Sequence, residues 1–202
     1  FQKGEDCSDA IKSYINYREQ NPLIEFYHSI LPLIIQDDTQ YVGISVNYSG
    51  QIIPAITLAA LIKKAFSRVK IIFGGSLFPA YANKISALNI FAEYSDALII
   101  YAGEYPWNNI IEYDTLDYIP GCMRSNGHSF IHNNLPLPQI KRALPDFSDY
   151  SLQRYLVPHN ILPYAMSIGC YWGKCSFCGY QSYKDICVKR YAQNDIDLGN
   201  YV

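Results

Sequence analysis

The chain has 202 residues, half of them hydrophobic and 17% charged, with a net charge of -2. That is enough for one or two domains with a buried core. It excludes a disordered chain and a broad basic face for nucleic acid. No run of about 18 apolar residues is present, so no membrane span is expected.

The opening residues (FQKGEDC) carry no signal-peptide pattern, and the first residue is Phe, so a fragment or trimmed chain is expected. Residues 8–20 suggest a short polar helix. Asn21 and Pro22 suit a helix start, the first as a cap and the second in the first turn. Leu23, Phe26, Tyr27, Ile30 and Ile34 form a helical stripe, and Pro32 should kink or end it. His28 on that helix reads as a surface or partly buried residue.

Residues 41–46 (YVGISV) read as a buried parallel strand, followed by a polar loop over 47–51. A strong helix is expected over 52–66, with Pro54 near its start and Lys63 and Lys64 near its end. Residues 69–73 are the next strand, ending in Gly74, Gly75 and Ser76. A helix over about 79–88, a strand over 96–101 and a helix over 106–113 follow.

This alternation implies right-handed βαβ units and an α/β fold with a Rossmann-like parallel sheet. Ligands of such sheets sit beyond the carboxyl ends of the strands. The loops there hold Asn47, Tyr48 and Gln51, then Gly74, Gly75 and Ser76, then Gly103 and Glu104. Each loop alone is explained by a tight turn. Their shared place at one edge points to a ligand.

Residues 114–158 differ in character. A small hairpin is expected near 119–127, turning at Asn126-Gly127, within an extended, proline-punctuated linker. Cys122 reads as a small buried residue. The nineteen tyrosines read as half-buried core edges. Residues 161–168 resemble a strand that leads through Gly169 into S-I-G-C-Y-W-G-K-C-S-F-C-G-Y.

That loop holds Cys170, Cys175 and Cys178 within nine residues, while Cys7, Cys122 and Cys187 are scattered. A thiolate-bound centre in a reducing cytoplasm therefore fits better than a disulfide scaffold. Three thiolates on a cubane cluster leave one iron open for an outside ligand. Structural zinc wants a fourth ligand, which Cys187 could supply. A core or redox role without metal is the third reading. Tyr171, Trp172 and Phe177 among the thiolates favour a cluster, which apolar neighbours shield and tune.

A strand, Gly-Cys, and two more cysteines in C-x-F-C resemble the cluster loop of radical SAM enzymes. The spacing here is C-x4-C-x2-C, one residue longer than their usual C-x3-C-x2-C. The wording G-C-Y-W-G-K-C-S-F-C is similar to a cobalamin-binding branch of that family. The upstream stretches VGISVNYSGQ, VKIIFGGS and ALIIYAGE, and the segment DFSDY, resemble that branch too. The resemblance covers about residues 35–185.

The resemblance implies a Rossmann-like, cobalamin-binding-type domain over 1–113, possessing no obvious first strand. It implies a linker over 114–158 and, over 159–202, the first strand and cysteine loop of an incomplete radical SAM (β/α) barrel. A full barrel needs about 200 residues, so the chain alone is not expected to turn over. Cys170, Cys175 and Cys178 would ligate a [4Fe-4S] cluster whose open iron takes S-adenosylmethionine. Phe177 would pack near the adenine. Asn47, Tyr48, Gln51, Gly74, Gly75, Ser76, Gly103 and Glu104 would line cobalamin. No D-x-H-x-x-G motif is present, so no histidine is expected below the cobalt. The implied reaction is reductive cleavage of S-adenosylmethionine to a 5′-deoxyadenosyl radical. Its use would be methyl transfer to an unactivated carbon of a small-molecule or peptide substrate, as in peptide natural-product maturation. The implied electron donor is a flavodoxin or ferredoxin.

Overall fold

The computed structural model describes residues 7–17, 19–81, 88–100, 102–133, 135–136, 147–159 and 161, and residues 172, 174 and 176 singly. The chain divides into two compact units, Phe1–Pro138 and Gln139–Val202.

The first unit is α/β. Helices α1 (Cys7–Asn16) and α2 (Leu23–Ile34) precede strand β1 (Tyr41–Ser45). Helix α3 (Ile52–Ala65) leads to β2 (Lys70–Gly74), and α4 (Asn89–Glu93) to β3 (Ala97–Ile99). Helix α5 (Glu104–Tyr113) and a loop then reach β4 (Cys122–Ser125) and β5 (Phe130–Ile131). The sheet order is β1-β2-β3-β4-β5. β1, β2 and β3 are parallel, whereas β4 and β5 run antiparallel. The sheet is thus mixed and open, compatible with a Rossmann-like fold, and not wholly parallel as the sequence suggested. The difference comes from the hairpin at 122–131, which pairs back onto β3 through Ile99 and Cys122.

Period-two alternation sorts the strand side chains onto two faces. Ile44, Val46, Ile71, Phe73, Leu98, Ile100, Met123 and Phe130 join α1, α2, α3 and α4 in the larger core. Phe73, Phe78 and Phe91 form its aromatic centre, with edge-on ring contacts at 5.0 and 5.1 Å. Ile72, Ala97, Ile99 and Cys122 face the other way, onto Ile110 and Trp107 of α5 and Ile119. β2 is covered on both faces, which explains its uninterrupted apolar run. β1, β2 and β3 wind in one direction, and right-handed crossovers put both connections on the same face.

Several local contacts set this arrangement. Buried Asn21 donates to Thr57 Oγ1 of α3 (3.0 Å) and accepts from the Leu23 N–H (3.1 Å), so it anchors the start of α2; the cap position itself is Pro22, one residue later than expected. Pro32 does not end α2; the helix continues two residues beyond it, to Ile34. His28 is exposed. Trp107 lies beneath Gly43, where an added Cβ would come within 3.0 Å of the indole. After α5, Asp114 adopts φ 45° and accepts from the Tyr41 hydroxyl, with Lys70 Nζ 3.5 Å away. The Tyr41 hydrogen bond and then the Lys70 charge hold the Asp114 carboxyl below its ordinary range.

The expected helix over 79–88 is observed as a 3-10 turn at Phe78–Tyr81, and residues 82–87 lie outside the described set. The hairpin is present with a four-residue connection over 126–129. Asn126 Oδ1 accepts from the His128 and Ser129 N–H groups (2.9 and 2.8 Å), and Gly127 has φ +88°. No helix among the described residues is long and apolar enough to cross a membrane.

Candidate functional site

The carboxyl edge of the parallel strands gathers residues 46–51, 74–77 and 102–104. Hydrogen bonds knit the first two together. Val46 N–H donates to Gly74 O (2.7 Å), and Leu77 N–H donates to Val46 O (3.1 Å). The Ser76 N–H donates to Asn47 Oδ1 (2.9 Å), and the Ser76 hydroxyl to Asn47 O (3.3 Å). Gln51 Oε1 accepts from the backbone N–H groups of Asn47 (2.7 Å) and Tyr48 (3.2 Å). It thereby fixes the turn from β1 into α3, as a polar side chain in a first helical turn can.

The glycines here have different reasons. Gly75 has φ +116°, and a Cβ on it would lie 2.4 Å from Val46 O and 2.6 Å from Val46 N. Both facts demand glycine before any ligand is considered. At Gly74 a Cβ would make only ordinary contact, 3.7 Å from Ile99 O. At Gly50 and Gly103 a Cβ would meet nothing within 4 Å. Gly103 is also the amino-terminal cap of α5 and has no capping side chain, so the first-turn N–H groups of that helix lie at the same edge. Tyr48 is 73% exposed and Glu104 is exposed.

Asn47, Gln51, Gly75 and Ser76 therefore come together, but chiefly to lock two loops to each other. Tyr48, Gly103 and Glu104 keep open surface. The backbone is bare at Gly50 and Gly103. Asn47 Oδ1 and Gln51 Oε1 are already engaged by backbone donors. The interlock had a readable signal, a polar N-Y-S-G-Q run with its Gln placed to reach back over the turn. Gly50 was the feature left unassigned by sequence reasoning; only its empty surroundings distinguish it.

No family model, no curated protein and no solved structure matches the chain.

In the second unit, Phe147 and Tyr150 pair with ring centroids 6.1 Å apart, ahead of a 3-10 turn at Leu152–Arg154. Lys174 Nζ stands 5.6 Å from the centre of the Trp172 ring, which is 56% exposed. Cys170, Cys175, Cys178, Phe177 and Cys187, with all but Ile161 of the strand expected over 161–168, lie outside the described residues. Among the described residues no group of three or more His, Cys, Asp or Glu could hold a metal ion. Cys122 is buried, and burial pushes its thiol up to about 12, which fits a packing role.

Proposed function

We propose that this chain is the cobalamin-binding-type domain and barrel entry of a cobalamin-dependent radical SAM enzyme, acting in methyl transfer to a small-molecule or peptide substrate. The observation that carries the reading is the spacing of Cys170, Cys175 and Cys178 in an aromatic loop. Three such thiolates suit a [4Fe-4S] cluster with one iron left for the amino and carboxylate groups of S-adenosylmethionine. When bound, these groups supply one-electron cleavage to a 5′-deoxyadenosyl radical, and cobalamin supplies the methyl carrier.

The residues of the chain bind and orient. Phe177 would pack beside the adenine, and Tyr171 and Phe177 would keep water from the thiolates. At the sheet edge, the Asn47–Ser76 and Gln51 contacts hold the loops, and the bare backbone at Gly50 and Gly103 would face the cobalamin. Anaerobic reconstitution with iron and sulfide should give about four irons per chain, the cubane stoichiometry. Stoichiometric zinc without iron would refute the reading. Release of that zinc by Cys187→Ser would then identify a zinc-stabilised binding module.

A second reading keeps the cluster and drops cobalamin. The engagement of Asn47 and Gln51 by backbone donors favours it. Desalting after incubation with hydroxocobalamin separates the two. Retained corrinoid absorbance supports the first, and its loss supports a scaffold or docking role for the sheet.

A further inference from the structure

Asn126-Gly127 turns the hairpin between β4 and β5, and Asn126 is the only asparagine of the chain that glycine follows. An asparagine in that place can close a ring on the next backbone nitrogen, because glycine has no side chain to crowd the approach. Asn126, Gly127 and His128 are exposed, so water reaches them. Hydrogen bonds hold the pair in its present form. The Gly127 N–H donates to Ser125 Oγ (3.0 Å), and the Ser125 hydroxyl donates to Ala92 O of α4 (2.5 Å). Asn126 Oδ1 accepts from the His128 and Ser129 N–H groups and from the Ser129 hydroxyl (3.4 Å). The Asn126 N–H closes the connection on Ser129 O (3.1 Å).

We propose that Asn126 is a site of self-modification, converted to aspartate and isoaspartate through a cyclic imide, and that the hairpin gates the conversion. The Gly127 nitrogen gives up its proton and bonds to Asn126 Cγ. The Cγ–Nδ2 bond breaks, and Nδ2 leaves as ammonia with that proton. Water then adds at one of the two ring carbonyls, and the ring bond from that carbon to nitrogen breaks. Opening at Cγ gives aspartate. Opening at the main-chain carbonyl carbon gives isoaspartate, whose main chain runs through Cβ and Cγ. In the ring the Gly127 nitrogen carries no hydrogen, so it cannot also donate to Ser125 Oγ. The closed connection therefore resists the reaction, and its local opening admits it. Isoaspartate adds a methylene to the main chain of a four-residue connection whose flanks pair Ser125 with Phe130. Phe130 is buried in the larger core, so a connection that no longer closes in register loosens that core. Each opening that ends in conversion is recorded permanently, because the ammonia is lost.

The test ages the full chain in mildly alkaline reducing buffer, natively and across a urea series. Peptide mapping by mass spectrometry reads residue 126. Aspartate and isoaspartate should accumulate there, more slowly in the native chain than in urea. Ser125→Ala removes the acceptor of the Gly127 N–H. It should speed native conversion about fivefold, the worth of one hydrogen bond, and leave the rate in urea unchanged. Asn126→Asp keeps both side-chain oxygens and the main-chain length, so amide exchange at residue 126 should stay slow. The isolated isoaspartyl chain should exchange there faster. A native chain that converts as fast as the chain in urea overturns the proposal. So does a chain that forms no acid at residue 126, or a Ser125→Ala chain that converts at the native wild-type rate. If Ser125→Ala fails to fold, the wild-type urea series decides.

Discussion

Replacing Gly75 with alanine tests how the carboxyl edge is held. The new Cβ would be placed 2.4 Å from the Val46 carbonyl oxygen, on a backbone at φ +116°. Holding a side chain at such a φ costs about 1–3 kcal/mol. Relieving the clash must also push apart the Val46–Gly74 and Leu77–Val46 bonds, now 2.7 and 3.1 Å. Those are worth about 1 kcal/mol each. Together the loss should be roughly 3–5 kcal/mol. Urea unfolding followed by far-UV circular dichroism should show a lower midpoint with an unchanged slope. Gly74→Ala, whose Cβ makes ordinary contact, is the matched control and should cost less than about 1 kcal/mol. If Gly75→Ala costs no more than that control, the steric argument is wrong. If it also abolishes hydroxocobalamin retention without loss of stability, the glycine serves a ligand instead.

Asn21→Ala should cost about 2–3 kcal/mol by denaturant unfolding, because it strips Thr57 of its partner and leaves the Leu23 N–H without its acceptor. Thr57→Val should add little on top of it, since the two act as one unit. Gly103→Leu should cost under about 1 kcal/mol as a weaker helix cap, yet should lower corrinoid retention if cobalamin covers that edge. Alkylation mapped by mass spectrometry should leave Cys122 unmodified in the folded chain and modified in urea. Its folded pKa is raised from 9.0 to about 12, so the unfolded chain loses the proton first. The associated stability is therefore complete below pH 9 and is lost as pH rises toward 12.

The parts of the fold that were readable from the residues are those whose signal is local. The apolar runs of β1 and β2, and the long apolar helix α3 between them, carry their own periodicity. The turn at Asn126-Gly127 is likewise fixed by two residues. The hairpin's membership of the sheet is not local: it depends on Ile99 meeting Cys122 across 23 positions of chain. Helix α4 was also hidden, because five residues have little helical preference of their own and depend on burying Ile90, Phe91 and Ala92. At the candidate site the loops could be placed from sequence, since strand ends follow from the strands. What Asn47 and Gln51 hold could not, because a side-chain amide reads the same whether it faces a ligand or a neighbouring N–H.

The order of strands in space repeats their order in the chain. Each new strand is added beside the one made just before it, so no strand must wait for a later segment to slip between two already paired. During synthesis the sheet can grow outward from β1 as residues leave the ribosome. The connections between β1, β2, β3 and β4 each carry a helix that packs as it forms, and only β4 and β5 are joined by a short loop. The last strands, β4 and β5, reverse direction and can zip on as a preformed hairpin. A chain released early would therefore hold a smaller sheet with the same β1–β2 core, not a different one.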